Sequence, residues 1–132
     1  MQLQLLIASS SPFERETLVS LIKQSGHIVD SCLTSQQMLR LYESHRYDAA
    51  IIDVDFENQK QGWLLAKQLR IGYQGRDLTI ILLIRNDSKD VQYNHDFDKI
   101  CDWAIIFPIS PEAFVNLIER AIKVRNARLS NS

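Results

Sequence analysis

The chain has 132 residues, 45% hydrophobic and 23% charged, with 15 basic against 16 acidic side chains and a formal net charge of -1. That is material for one domain with a real core, without the basic field that nucleic acid or an anionic membrane surface requires. Apolar runs such as 78–84 fall far short of a bilayer span, and no basic segment followed by an apolar one opens the chain, so the expected location is cytoplasmic, away from membranes.

In chain order, short apolar runs alternate with segments of helical period. Residues 3–8, 28–32, 49–54, 79–84 and 104–106 read as strands, most of them continuously apolar, as strands covered on both faces are. After the first, Ser11, Pro12 and Glu14 supply an N-cap, a first-turn proline and an acid at N3, and Gly26 stands where a left-handed residue ends the helix. Thr34 with Gln37 gives a capping-box pattern ahead of Met38, Leu41 and Tyr42. Segment 87–100 carries only Tyr93, Phe97 and Ile100 as an apolar stripe. The closing helix has Ser110 as N-cap, Pro111 at its first position, and Phe114, Leu117, Ile118, Ala121 and Ile122 at the spacing that docks one helix face on a sheet. The domain is expected over 1–125, with 126–132 a tail or the start of a linker.

Strand and helix alternating in this way give a parallel sheet with right-handed crossovers. The class is α/β, and five strands with five helices suggest the flavodoxin-like order 2-1-3-4-5 with helices on both faces. In such a sheet the site lies at the carboxyl ends of strands 1 and 3, here 8–11 and 53–56. Cys32 and Cys101 fall near opposite edges, roughly 19 Å apart at about 4.8 Å per strand, too far for a disulfide. The serines after the first strand are read as a helix cap. A phosphate loop of the flavodoxin kind is the alternative, but no glycine lets backbone N–H groups close on a phosphate, and Glu14 and Glu16 would repel it. His27, His45 and His95 show no spacing for a triad or a metal site and are expected at the surface or an edge.

Through "YDAAIIDVDFENQKQGW" and "SPEAFVNLIERAI", and in the order and length of its elements, the chain from Gln2 to about Val124 resembles the receiver domain of bacterial response regulators. The resemblance implies that Asp53 matches the phosphoacceptor aspartate, and that Pro108 in "FPIS" matches the family's Lys-Pro turn. The departures are at the chemistry. Ser9 and Ser10 stand in place of the acidic pair that holds Mg²⁺, Ile84 in place of the phosphoryl-bonding Ser or Thr, Phe107 in place of the lysine, and Ala104 in place of the aromatic switch residue. Ile84 and Phe107 are expected to bring apolar side chains toward Asp53, the alternative for Phe107 being an outward ring that only adds exposed apolar area. The linker from Asp53 to Gly62 is one residue longer than usual, and Asp55 and Glu57 on it are the candidate substitute metal ligands.

Phosphoryl transfer depends on positioning and on offsetting charge at the equatorial oxygens. A lysine about 4 Å from a phosphoryl oxygen contributes up to roughly 4 kcal/mol at an effective dielectric of 20, and about 1.4 kcal/mol is a decade in rate. The sequence therefore points to a degenerate, or pseudo-receiver, domain: not an enzyme, without a cofactor, and acting through a protein partner or a fused effector domain. The resemblance also implies an interaction face on the fourth helix, fifth strand and fifth helix, with Lys89, Asp90, Asp98, Lys99, Asp102, Glu119, Arg120, Lys123 and the nearby Trp103, through which a homodimer is one option. The alternatives are a working receiver that takes phosphate on Asp53 through an unusual Mg²⁺ site, and a flavodoxin-like flavin binder.

Overall fold

The computed structural model describes residues 2–57, 61–72, 77–85 and 97–130, excepting the side chains of Arg85 and Asp98. Five parallel strands, β1 (Gln4–Ala8), β2 (Ile28–Cys32), β3 (Ala49–Asp53), β4 (Thr79–Arg85) and β5 (Trp103–Phe107), form one sheet in the order β2-β1-β3-β4-β5. The helices are α1 (Pro12–Gln24), α2 (Ser35–Ser44), α3 (Gln61–Ile71), α4 (Phe97–Ile100) and α5 (Pro111–Ser130). This is the flavodoxin-like architecture that the alternation of elements implies.

Because side chains alternate along a strand, each strand feeds two cores. Leu5 and Ile7 of β1, Ile51 of β3 and Ile81 of β4 pack with Leu18, Ile22, Phe114 and Ile118 under α1 and α5. Leu6, Ile52 and Leu82 pack the other way, with Met38, Tyr42, Leu65 and Leu69 under α2 and α3. A sheet covered on both faces explains why these strands are continuously apolar.

The helix ends follow their caps. Ser11 Oγ accepts from Glu14 N–H, Thr34 Oγ1 from Gln37 N–H at 3.0 Å, and Ser110 Oγ from Ala113 N–H. The Thr34 box is displaced by one residue, since Gln37 Oε1 accepts from Leu33 N–H. Gly26, at φ +88°, closes α1: its N–H donates to Lys23 O and that of His27 to Ile22 O, the paired bonds of a Schellman end.

Several boundaries move. β1 begins at Gln4 because Leu3 N–H is taken by His27 Nδ1. β5 is two residues longer than expected, pairing with β4 from Trp103 to Phe107. α5 continues to Ser130, so 126–130 of the expected tail is helical, with Arg125 held by Asp102 at the start of that stretch. Of the helix expected over 87–100, only Phe97–Ile100 falls among the described residues, and Tyr93 lies outside them. Both cysteines are free and buried, in keeping with their places near opposite edges. His27 is buried, not a surface residue: with Nδ1 accepting from Leu3 N–H, its Nε2–H donates to Glu119 at 2.9 Å.

Candidate functional site at the carboxyl end of the sheet

Asp53 closes β3 opposite Leu83 and is 2% exposed. Ala8 pairs with Ile52, so one step further Ser9 comes level with Asp53. By alternation Ser9, Asp53 and Phe107 continue the rows that face α1 and α5, while Ser10 and Ile84 continue the opposite rows.

Both serine hydroxyls are engaged. Ser9, 1% exposed, donates from Oγ to Glu14 Oε1 at 3.3 Å, and its carbonyl accepts from Arg15 Nη1 at 3.5 Å. Ser10 donates from Oγ to the Asp55 carbonyl at 3.0 Å. The cap, Ser11, is the third serine, so each member of the triplet has a separate bond, none of them made to a neighbouring serine.

The segment after Asp53 is anchored along its length. Asp55 N–H donates to Asp53 Oδ1 at 3.0 Å and Phe56 N–H to Asp53 O at 2.9 Å. Val54 and Phe56 are buried in the core under α2 and α3. Glu57, in the left-handed region at φ 70°, places its carboxylate on the Ser35 N–H at the first turn of α2. That is a favourable place for an anion, and it directs Glu57 to α2. Gly62 N–H donates to Val54 O, and a Cβ on Gly62 would lie 1.9 Å from Asp53 O, so only glycine lets α3 start this close to the end of β3.

Phe107 is half-buried, its ring 6.3 Å from that of Phe114, and lines an apolar cleft of about 210 Å³ with Phe13, Leu18, Ile109 and Glu14. Ile84 packs against the opposite core. The two apolar replacements thus lie on different sides of the sheet, and Phe107 shares the face of Asp53, two residues beyond Ile105, which is level with it. Ala104 is half-buried, and Pro108 is exposed after a cis peptide bond.

The expected interaction face is broken up. Asp102 is an internal residue with a side chain 7% exposed: Oδ2 accepts from Arg70 Nη2 at 2.7 Å and Ile80 N–H at 2.9 Å, and Oδ1 from Arg125 Nη1 at 3.2 Å. Arg70 also donates to the carbonyls of Ile100 and Leu78. Burial lowers the pKa of its guanidinium, with Asp102 acting in the opposite sense. Glu119 binds His27 and lines the groove between α1 and α5, not the β5 side. Trp103 packs into the core under α1 and α5. Lys99, Arg120 and Lys123 are exposed; Lys89 and Asp90 lie outside the described residues, as does the side chain of Asp98.

Sequence reasoning missed Glu14 and Arg15 as neighbours of Ser9, and it missed the Arg70–Asp102–Arg125 cluster. The latter had a signal. Arg70 follows Ala66 and Arg125 follows Ala121 at i+4, placing a cation on the buried stripe of each helix.

No family model matches the chain, and no curated protein matches its sequence. Solved structures do. A CheY-like response regulator receiver domain protein from Methanospirillum hungatei is 14% identical with a TM-score of 0.83, covering 97% of this chain and 99% of its own. The receiver domain of the sensor histidine kinase PA1611 from Pseudomonas aeruginosa, with magnesium coordinated in its active site cleft, is 19% identical with a TM-score of 0.77, covering 93% and 99%. NtrX from Brucella abortus, in complex with ADP, is 12% identical with a TM-score of 0.83; the match covers 98% of this chain but 28% of NtrX. With the strand order β2-β1-β3-β4-β5, these likenesses give the chain the CheY-like fold of response regulator receiver domains.

Proposed function

We propose that this domain is a degenerate receiver, a non-enzymatic regulatory module that works through protein contacts and does not use Asp53 as an efficient phosphoacceptor. The observation that carries this reading is the pair of serines that follows β1, with Ser9 level with Asp53, whose hydroxyl protons are directed at Glu14 and at the Asp55 carbonyl. Mg²⁺ is usually held by one or two carboxylates with waters and phosphate oxygens. Neutral hydroxyls bring no negative charge to that ion, and Glu57, a candidate substitute, is turned to the first turn of α2.

The response is missing along with the metal. Ile84 has no hydroxyl to bond a phosphoryl group, Phe107 no ammonium to offset its charge, and Ala104 no ring to follow. A ligand without differential contacts in two states cannot shift their populations. Input therefore comes through abundance, a protein partner or another ligand, and output through a fused effector domain or a separate partner. That the matched part of NtrX is 28% of its chain supports the fused arrangement. Among the described residues no helix is long and apolar enough to cross a membrane, which agrees with a cytoplasmic setting for such a module.

The test is the amide NMR spectrum with Mg²⁺ and beryllofluoride added. The expected result is no saturable change at β4 or β5. A Mg²⁺-dependent shift of both strands that Asp53→Ala removes would establish a working receiver instead.

A further inference from the structure

The groove between α1 and α5, about 570 Å³ in volume, is floored by Leu21 and Val115 and continues at Leu21 and Pro111 into the apolar cleft where Phe13 is 80% exposed. Along its α5 wall run Glu112, Asn116 and Glu119, and helical spacing puts Lys123 on the same stripe one turn further on. The stripe begins with an acid and ends with a base. Both are exposed, and among the described residues neither Glu112 nor Lys123 has an ion pair within the chain.

We infer that the occupant of this groove is a second copy of the chain, its α5 laid antiparallel to the first about a two-fold axis near Leu117 and Ile118. In that register Glu112 faces the partner's Lys123, Lys123 faces the partner's Glu112, and Asn116 faces the partner's Glu119. One symmetry operation satisfies both ends, as an isologous contact requires. Glu112 and Lys123 are eleven residues apart, about 16 Å of helix, so the two charge pairs clamp the apolar floor between them. Charge decides against a foreign helix of one sign. A basic helix is repelled at Lys123, and an acidic one at Glu112 and Glu119. The two-fold pairing sets opposite charges together at both ends of the stripe and an amide opposite Glu119. It needs no phosphorylation and stands whether or not Asp53 proves to be an acceptor.

The experiment is sedimentation of the 132-residue chain over a concentration series, with far-UV circular dichroism to show that each variant is folded. The chain should dimerise. Glu112→Lys and Lys123→Glu should each weaken the dimer about tenfold or more, since each places like charges at both ends. An equimolar mixture of the two variants should pair again, because every contact is then between opposite charges. A chain that stays monomeric to high concentration, a dimer indifferent to both reversals, or a mixture that does not recover would each overturn the inference; the first leaves the groove to a different protein, and the second puts the dimer on another face.

Discussion

Two buried aspartates sit at opposite ends of the same parallel sheet. Asp102, just before β5, accepts from two guanidiniums and a backbone N–H; Asp53, at the end of β3, is level with Ser9 and accepts from the N–H of Asp55. The first end is stitched: Arg70 joins α3 to the approaches of β4 and β5, and Arg125 adds α5. At the second end Ser9 and Ser10 donate to Glu14 and to the Asp55 carbonyl. The contrast teaches that compensated charge ties separate elements together at one end of the sheet, while at the other a carboxylate fixes the turn that follows its own strand.

The largest expected effect breaks the stitched end. Asp102→Ala leaves two largely buried guanidiniums, 12% and 20% exposed, without their carboxylate and should cost about 3 kcal/mol in urea unfolding. A smaller loss would mean that the arginines reach water.

Alkaline pH probes the interior next. Burial raises the thiols of Cys32 and Cys101 from the usual value to about 12. The unfolded chain therefore loses these protons first, and stability present below pH 9.0 is lost as pH rises toward 12. For Cys101 the slope is about 1.4 kcal/mol per pH unit, and Cys101→Ala should remove that share of the pH dependence.

The other two changes are at the Asp53 end. Gly62→Ala, which pushes a Cβ against the Asp53 carbonyl, should cost about 1–3 kcal/mol and alter amide shifts from Val54 to Glu57 before any others. Asp53→Asn retains an acceptor for Asp55 N–H and should change stability by less than about 1 kcal/mol; a loss as large as that of Asp102→Ala would erase the difference between the two ends.

The periodic parts of the sequence were the legible ones. Continuous apolar runs and the stripe from Phe114 to Ile122 led to the strand order, because a sheet covered on both faces allows few arrangements. Caps were legible for the same local reason. What the pattern hid was pairing at long range. Asp102 reads as one more surface charge until Arg70 and Arg125, 32 residues before it and 23 after, meet it in space. His27 looks like an edge residue until Leu3 and Glu119 take its two nitrogens. At the Asp53 end Ser9 and Ser10 themselves were visible, but not that Glu14 and Asp55 would engage their hydroxyls.

The most direct test of the proposal that Asp53 is not an efficient phosphoacceptor compares the native chain with a variant carrying Ser9→Asp, Ser10→Asp, Ile84→Thr and Phe107→Lys, both incubated with Mg²⁺ and acetyl phosphate and read by intact mass. The account predicts no phosphoryl adduct on the native chain and one on the variant, removed by Asp53→Ala. Stoichiometric, Mg²⁺-dependent phosphorylation of native Asp53 would contradict it.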